Sequence, residues 1–519
     1  MNKKAIVALV LLLGFARLPA RDDDVWTGAV DRIGSMVGIL ENSYYKELDQ
    51  DKLTYASIRG MLETLDPHSY FLDPDYYSRM REEYTGKFYG LGIQITKQED
   101  RLVIVGVVEG TPAYRLGLQI GDIISHINGE STKPITSYDA MMKLRGEKGT
   151  KVNVTIVRDG LDKPLELTVV REEIPLNSVP YAFMLENGIG YVFIRNFAET
   201  TDMELSEKLA NLTRQGMKSL VLDLRGNSGG PLVQSIQVSD EFLPKGTLVV
   251  SMRGRNKNYD RDFHAFRDNQ YEKLPLVILI NEGTASASEI VSGAVMDHDR
   301  GLVIGEDSWG KGLVQSVIPL ASNMAVALTT AKYLTPSGRS IQRDYSHIED
   351  YMLNKKVSDE NREIRYTDKG RKVLGQGGIT PDYKVEFTFK TLTGRMILGG
   401  AFFTYARKLA QHQTDLSKKL VLPQDEKKAT TPAGKILVGD AFMVNADVIE
   451  DFKSYLKTIK FVYEDKDFKE AEGEIKRELE REVYSALWGA ETGQRIYRLS
   501  DPVVRKAVEV VPEAAKFVE

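Results

Sequence analysis

Apolar residues near the start of the chain recur at the spacing of an α-helix. Val30, Ile33, Met36, Val37 and Leu40 lie three or four positions apart or side by side, which is the period of one helical face. We therefore predict helices from about residue 25 to 80. A turn-rich break over 65–70 interrupts them.

After this region the pattern changes to short β runs divided by turn residues such as Asn128-Gly129 and Lys148-Gly149. The runs are Gly92–Thr96, Leu102–Val108, Ile123–Ile127 and Val152–Val157. They predict a small β-rich domain over about 85–172, with one or two short helices.

From about 180 to 390 the pattern predicts buried strands that alternate with helices. Gly190–Ile194, Ser219–Leu224 and Leu274–Ile280 are predicted strands, and a helix is expected near Thr201–Arg214. Such alternation is typical of an α/β core. After about 390 the chain becomes helical and charged, and residues 464–485 are expected to form a solvated amphipathic helix.

The composition is that of a soluble protein with several domains. The chain has 519 residues, 42% apolar and 28% charged, which is more than one hydrophobic core usually serves. A net charge of −5 gives no basis for a nucleic-acid partner. The chain has no cysteine, which excludes disulfides, thiolate catalysis and cysteine-based metal sites.

The first residues have the layout of a secretory signal. Lys3 and Lys4 precede the apolar run Ala5–Phe15, and the acidic run Asp22–Asp24 follows. The apolar run is shorter than the about 20 residues that span a bilayer. We expect an exported protein, periplasmic or held at the cell envelope, with a cleaved signal; the alternative is a retained membrane anchor.

A serine lies where the predicted strand Leu274–Ile280 turns into an apolar helix at Ile290–Met296. Ser286 at such a turn can project its hydroxyl into a cleft, and the N–H groups of the helix N-terminus can stabilise an oxyanion. The alternative is structural, because Ser286-x-x-Glu289 is also a capping box.

A serine nucleophile needs a base, and histidine is a poor candidate here. His298 is nearest in sequence, but a helix over 286–298 would separate it from Ser286 by about 18 Å. The other histidines are expected on the surface or in packing; they are His68, His126, His264, His347 and His412.

Lys311 can serve instead, if burial lowers its pKa enough to make it neutral near pH 7. Gly305, Gly310 and Lys311 also match most of a P-loop. The next residue is Gly312, which has no hydroxyl for magnesium, so a nucleotide site is disfavoured.

A glycine-rich segment, Leu222–Pro231, ends another predicted strand. Glycines allow a backbone to approach a ligand closely and to donate N–H groups, although a tight turn is the alternative. Ligands favour the carboxyl ends of strands in α/β sheets, where both unusual loops are expected.

Taken in order, these segments resemble the C-terminal processing (tail-specific) peptidase family. The resemblance covers roughly residues 30–390, and each segment is weak alone but the ordered set is specific. It rests on Leu65–Ser69, Tyr89–Gly92, Gly121–Ile124, Leu144–Gly146, Asp223–Asn227, Thr284–Ile290, Gly310–Gln315 and Gly378–Asp382.

The resemblance implies catalytic roles for three side chains. The nucleophile falls on Ser286 rather than Ser288, because the 25-residue spacing to Lys311 matches the family's Ser–Lys dyad. The third residue falls on Gln315, expected to orient the lysine amine. Residues 311 and 315 share a face on a strand or a helix.

The resemblance also implies backbone groups that stabilise the reaction. N–H groups of Ala287 and of the Gly229/Gly230 turn are expected to form the oxyanion hole. Neither a metal nor a cofactor is implied.

The β-rich part resembles a PDZ domain, in which a ligand adds as a strand and a loop holds its terminal carboxylate. A helix near Ser137–Leu144 is expected to wall the groove, and Arg145 matches a position implicated in gating the active site. The peptide-binding residues are expected to be Tyr89, Gly90, Leu91, Gly92 and Ile93.

The expected fold is mixed α/β: a peptidase core resembling the crotonase and caseinolytic-protease folds, an inserted PDZ β-domain, and helical N- and C-terminal regions. The predicted divisions are a signal peptide at 1–21, a helical region at 22–84, the PDZ domain at 85–172, the peptidase core at 173–390 and a helical region at 391–519.

The function that we predict is a serine endopeptidase that recognises protein C-termini. Expected partners are proteins or peptides with exposed C-termini, a second copy in a dimer built by the helical ends, and an adaptor protein. The alternatives are a catalytically silent PDZ scaffold and a Ser–Lys amidase acting on small amides.

Overall fold

The computed structural model describes residues 23–98, 100–158, 160–355, 358–421, 436–437 and 442–518. The predicted signal at 1–21 therefore lies outside the described residues. The chain divides into two compact units, residues 1–65 and 66–519. None of the helices in the described ranges is both long and apolar enough to cross a membrane.

From residue 23 onward, the first unit contains helices α1 (Asp23–Ser43) and α2 (Gln50–Leu62). Helix α2 begins at Asp49, whose carboxylate accepts a hydrogen bond from the Lys52 N–H at 3.0 Å. An aspartate at this position satisfies one of the N–H groups that the first helical turn leaves unpaired.

The second unit opens with a strand, a helix and a strand: β1 (Tyr70–Leu72), α3 (Pro74–Thr85) and β2 (Lys87–Gly90). Asp73 caps α3, and Pro74 occupies its first turn, where a missing N–H costs nothing. Gly86 ends the helix at φ 68°, a left-handed conformation that glycine adopts without strain.

A six-stranded antiparallel sheet and two short helices follow. The elements are β3 (Ile93–Gln98), β4 (Arg101–Val107), α4 (Pro112–Arg115), β5 (Ile123–Ile127), β6 (Glu130–Ser131), α5 (Ser137–Leu144), β7 (Lys151–Val157) and β8 (Leu165–Val170). The strands lie in the order β3-β4-β5-β7-β8, with β6 beside β5. Strand β9 (Glu172–Pro175) then pairs with β2.

The next part of the chain builds two further sheets. Its elements are β10 (Tyr181–Met184), β11 (Ile189–Phe193), α6 (Thr201–Arg214), β12 (Ser219–Asp223), α7 (Leu232–Asp240), β13 (Leu248–Gly254), β14 (Arg261–His264), β15 (Leu276–Ile280), α8 (Ala287–Asp297), β16 (Leu302–Gly305), β17 (Leu313–Leu320), β18 (Met324–Leu334), α9 (Ile348–Met352), β19 (Ile364–Tyr366), β20 (Lys372–Leu374) and β21 (Tyr383–Lys384). Single 3₁₀ turns occur at Glu186–Gly188, Lys257–Tyr259, Asp359–Asn361 and Ser417–Lys419.

One sheet has the strand order β10-β11-β12-β15-β16-β21 and is parallel from β11 onward. The other has the order β1-β18-β13-β14, with β17 beside β18. Strands β19 and β20 form a separate pair.

Alternating side chains of the parallel sheet supply two hydrophobic layers. Leu220 and Leu222 pack with helices α6, α7 and α8 and with the second sheet, whereas Val221 faces the opposite layer. Every residue of α8 is buried, including its polar residues Ser288, Glu289, Ser292 and Asp297. The carboxyl ends of β12 and β15 therefore lie beside the start of a rigid central helix.

The C-terminal part is mostly helical. It contains α10 (Thr391–Leu398), α11 (Ala401–Ala410), β22 (Leu420–Val421), β23 (Ile436–Leu437), α12 (Ala446–Thr458), α13 (Asp465–Trp488), α14 (Ala490–Ser500) and α15 (Pro502–Ala515). Helices α10 to α13 share one hydrophobic core. Helix α15 instead returns to the parallel sheet, where Val503, Ala507 and Val510 cover the layer around Val221.

Candidate active site

Ser286 stands at the junction of strand and helix that the sequence predicted. It follows the turn after β15 and is the residue that precedes α8, with φ 55° and ψ −112°. A residue with a side chain rarely adopts a positive φ, and such conformations often mark functional sites. The neighbouring Ser288 differs, since its hydroxyl is buried and donates to the Asn227 carbonyl at 2.9 Å.

The loops after β12 and β15 are tied together by hydrogen bonds. The Gly226 N–H donates to Oδ1 of Asn281 at 2.8 Å, and the Thr284 hydroxyl donates to the Leu224 carbonyl at 2.9 Å. The Ala285 N–H donates to the Asn227 carbonyl at 2.9 Å. Asn227, Asn281, Thr284 and Ser288 thus hold the glycine loop against Ser286, a role that our reading of the sequence missed.

Gly229 and Gly230 lie where side chains would collide with the site. A Cβ on Gly229 would stand 2.9 Å from Cβ of Ser286, and one on Gly230 would stand 2.1 Å from the Phe197 carbonyl oxygen. The Gly229 N–H donates to Oδ1 of Asn227 at 2.9 Å. The Gly229 N–H is therefore already engaged within its own loop.

Lys311 lines the same cavity as Ser286. This cavity has a volume of about 510 Å³ and is also lined by Gly229, Gly230, Ala287 and Gln315. Burial lowers the pKa of the Lys311 amine below its ordinary value, while the negative charges of Glu289 and Asp66 oppose that shift. The shift favours a neutral amine, which a general base requires.

Glu289 connects the backbone of Ser286 with that of Lys311. Its Oε2 accepts the N–H groups of Ser286 at 2.7 Å and of Lys311 at 3.0 Å. Its Oε1 accepts the Gly310 N–H at 2.7 Å and the Ser308 hydroxyl at 2.5 Å. Glu289 thus does more than act as the capping residue that the sequence suggested.

Two further features shape this site. Burial raises the pKa of Glu289 to about 7, although its four donors favour the ionised form. The Tyr333 hydroxyl donates to the carbonyls of Ser286, at 3.2 Å, and of Lys311. Serine and lysine are therefore held from both sides.

Gln315 reaches the cavity by a different route from the one expected. Lys311 precedes β17, and the pairing of β17 with β18 shifts between Val314 and Gln315. Such a bulge re-aims the side chains that follow it. The two residues therefore do not share the face of one regular element, although both line the cavity.

His298, the histidine considered as an alternative base, is not among the residues that line the cavity. His298 ends α8 and contacts Asp368 and the Leu248 carbonyl. Within the described ranges, no cluster of three or more His, Asp or Glu side chains is arranged to hold a metal ion.

The segment Tyr89–Ile93 joins β2 to β3 in the antiparallel domain. The Leu91 carbonyl accepts the Ala113 N–H at 3.0 Å, and Gly92, at φ 83°, lies against Thr111. Strand β3 pairs only with β4 among the described strands, so one edge is open to an added strand. Helix α5, with Ala140 buried and Met141 partly exposed, packs beside it.

Arg145 ends α5 and contacts the helix next to the cleft. Its guanidinium forms an ion pair with Glu82 of α3 and lies 4.2 Å from the centre of the Phe88 ring. Arg145 and Met141 line a second cavity of about 470 Å³. Both cavities are lined by Arg79, Glu83, Asn196 and Ser228.

Two family models and several known proteins match this sequence. The family model described as Peptidase family S41 matches residues 188–350, and that described as PDZ domain matches residues 90–169. The carboxy-terminal-processing protease of Bartonella bacilliformis is 42% identical over 315 residues, which are 60% of this chain and 72% of that protein. The chain belongs to the carboxy-terminal processing proteases of peptidase family S41.

A second curated relative and a solved structure are also similar to this chain. The protease CtpA of Bacillus subtilis is 32% identical over 66% of this chain and 76% of its own. A solved photosystem II D1 C-terminal processing protease is 27% identical and covers 70% of this chain and 92% of its own, with a TM-score of 0.36.

Membership in the carboxy-terminal processing proteases makes the chain a serine-type peptidase with a PDZ domain inserted before its core. The predicted family, class of enzyme and mixed α/β fold are thereby confirmed. PDZ domains bind peptide C-termini, which fits peptide substrates.

Proposed function

We propose that the chain is an endopeptidase that binds protein C-termini through its PDZ domain and cuts peptide bonds with a Ser286–Lys311 dyad. The observation that carries this proposal is that Ser286 and Lys311 line one cavity while Glu289 binds the backbone of both. A lysine with an ordinary pKa is neutral in only about one molecule in 3,000 at pH 7. The lowered pKa of Lys311 raises that fraction.

In the first half of the reaction, Nζ of neutral Lys311 takes the proton from Oγ of Ser286 as Oγ attacks the scissile carbonyl carbon. The N–H groups of Gly230 and Ala287 stabilise the oxyanion, and Gly229 allows the close approach of the loop. Lys311 then gives its proton to the leaving amine, and the ester of Ser286 remains.

In the second half, Lys311 takes a proton from water, and the hydroxide attacks the ester carbonyl. Collapse of the intermediate returns a proton to Oγ of Ser286 and releases the new carboxylate. Gln315 orients the lysine amine. Activity should therefore rise with pH as Lys311 loses its proton.

In the proposed PDZ complex, the terminal carboxylate meets the backbone of the segment Tyr89–Ile93, and the peptide adds as a strand beside β3. Arg145 couples the occupied groove to the cleft through Glu82 and α3. The shared lining of the two cavities supports a path from the groove to Ser286.

The wider organisation is proposed as well. The divisions at 22–84, 85–172, 173–390 and 391–519 and the crotonase-like core remain our proposals. So do export, the dimer and the adaptor.

The test is cleavage of an unfolded model protein that ends in a free apolar C-terminus. We expect the wild type and the control Lys332→Ala, which changes an exposed lysine of β18, to cut, and folded Ser286→Ala and Lys311→Ala to be silent. Amidation of the substrate's C-terminus should slow cleavage. Persistent activity in Ser286→Ala would refute the dyad, and cleavage of small amides alone would favour the amidase.

A further inference from the structure

Asp66, in the turn before β1, is hydrogen-bonded to β18, the strand that pairs with the strand of Gln315. Its Oδ1 accepts the Thr329 hydroxyl at 3.0 Å, and its Oδ2 accepts the Ser69 hydroxyl at 2.8 Å. The Thr329 N–H donates in turn to Oγ of Ser69 at 3.1 Å. Two hydrogen bonds thus hold Thr329 of β18 to this turn. The Thr329 hydroxyl donates its proton to the Asp66 carboxylate.

Gln315 lies opposite Thr329 on the neighbouring strand, and its Nε2 donates to Oγ1 of Thr329 at 3.2 Å. The direction of this bond follows from the chemistry of the groups. An ionised carboxylate only accepts, so the Thr329 hydroxyl must donate to Asp66, and its oxygen is left to accept. Only the NH₂ end of the Gln315 amide can meet that oxygen.

We propose that Asp66 and Thr329 are positioning residues that fix the orientation of the Gln315 amide, so that its Oε1 is presented to Lys311. This inference rests on the proposed Ser286–Lys311 dyad and deepens it. The amine of Lys311 then donates a hydrogen bond to Gln315 and keeps its lone pair for Ser286.

A flipped amide would have the opposite effect. Its NH₂ group would donate to the lone pair of Lys311, which would occupy the base and lower the pKa of the amine. The two ends of a glutamine amide have nearly the same shape, so packing alone does not select one. The hydrogen-bond chain from Asp66 supplies the selection.

The negative charges near Lys311 also raise the pKa of its amine, as a hydrogen bond donated to Oε1 of Gln315 would. Asp66 and Glu289 raise the pKa of the amine, against the larger effect of burial. Burial, followed by the charge of Lys311, lowers the pKa of His68 to about 4, while Arg343 also lowers it and Asp66 opposes. His68 is therefore neutral near pH 7 and adds no positive charge beside Asp66.

The first test compares Thr329→Val with Thr329→Ser and with Thr330→Val. Thr330 is a matched control, because it is the next residue of β18 and its hydroxyl bonds with Ser316, at 2.8 Å, rather than with Asp66. We expect Thr329→Val to lower kcat by about 10- to 100-fold with little change in KM, because small misplacement of a catalytic group is costly. Thr329→Ser and Thr330→Val should stay near wild type.

A double-mutant cycle separates positioning from a merely structural role. In the Gln315→Ala background, Thr329→Val should lower kcat less than about twofold, since two residues that act through one contact are not additive. Multiplicative losses, or full activity in Thr329→Val, would overturn the proposal.

The pH profile gives a readout independent of folding. In Asp66→Asn and Thr329→Val, the acid limb of kcat/KM should move to lower pH, because each change lowers the pKa of Lys311; an unmoved limb in both would refute the inference. Ser286→Ala and Lys311→Ala serve as the reference. If these two retain activity the dyad itself fails, whereas if they are silent and Thr329→Val is normal, only the positioning role fails.

Discussion

At the scale of single residues, the buried carboxylate of Glu289 accepts four hydrogen bonds, one of them from the N–H of Lys311. Glu289 is fully buried and binds Ser308, Gly310 and the N–H groups of Ser286 and Lys311. Its pKa is raised to about 7, chiefly by burial. The residue that organises the site is therefore half ionised near neutral pH.

This raised pKa predicts a pH-dependent contribution to stability. Because the pKa of Glu289 is about 7 when folded and near 4.5 when unfolded, the folded state binds more protons between these values. The contribution of Glu289 to the free energy of unfolding is fully present below pH 4.5. It falls by about 3 kcal/mol as pH rises to 7. The measurement is denaturant unfolding of the wild type and Glu289→Gln from pH 4.5 to 8.

The difference between the two proteins isolates Glu289 from His68. His68 has a lowered folded pKa of about 4, so its own contribution to stability changes in the opposite direction, and it is present in both proteins. We expect the advantage of the wild type over Glu289→Gln to shrink with rising pH. An advantage that grows would mean that the four donors outweigh burial.

At the scale of elements, the site depends on two strand ends whose loops interlock. The loop after β12 approaches Ser286 so closely that only glycine fits at position 229. Three hydrogen bonds to Leu224 and Asn227 keep this approach fixed; their donors are Thr284 and Ala285 of the loop after β15 and Ser288 of α8.

Alanine substitutions in the loop should separate crowding from backbone strain. Gly229→Ala places a Cβ 2.9 Å from Cβ of Ser286, whereas Gly226→Ala, also at a positive φ, meets nothing within 4 Å. Each substitution should lower the free energy of unfolding by about 1–2 kcal/mol, because alanine is strained at a positive φ. We expect kcat to fall at least about 100-fold in Gly229→Ala and little in Gly226→Ala, and the melting temperature of Gly229→Ala to be the lower because its Cβ is crowded; equal kcat values would contradict the close approach.

Local elements of this fold could be predicted from the sequence, and their long-range partners could not. Ile123–Ile127, Ser137–Leu144 and Thr201–Arg214 have the predicted bounds, because periodicity and turn residues are local signals. Apolar spacing in α15 shows that one face is buried but does not say that it covers the parallel sheet.

The same limit applies to the candidate site. The positions of Ser286 and Lys311 follow from motifs in order along the chain. The bond from Gln315 to Thr329 depends on a bulge and on pairing between strands. A single sequence has no local signal for either, so Thr329 could not be predicted.

At the scale of the whole molecule, the PDZ domain and the cleft meet across α3. Arg145 at the end of α5 pairs with Glu82, and Tyr76, Met80 and Tyr84 of the same helix line the cavity of Ser286. Neither charge is well exposed, at 24% and 29%, so the pair is screened less than one at the surface. In the gating that we propose, a change in the PDZ groove would reach the cleft through this helix.

This connection predicts that Arg145 matters most for substrates that engage the PDZ domain. Arg145→Ala should lower kcat/KM for an unfolded protein with a free C-terminus by about 10-fold, the coupling of about 1–3 kcal/mol usual between two sites. It should change cleavage of a short peptide with an amidated C-terminus much less. Glu82→Ala should act alike, and the double variant should be no worse than either single one.

Arg115→Ala is the matched control, because Arg115 pairs with Glu172 at 2.6 Å on the exposed surface of the same domain. It should leave the ratio of the two rates unchanged. If Arg145→Ala reduced both substrates equally, the residue would support the fold rather than carry a signal. If the two effects of Arg145→Ala and Glu82→Ala multiplied, the ion pair would not be the connection, and the path would have to run through the lining that the two cavities share.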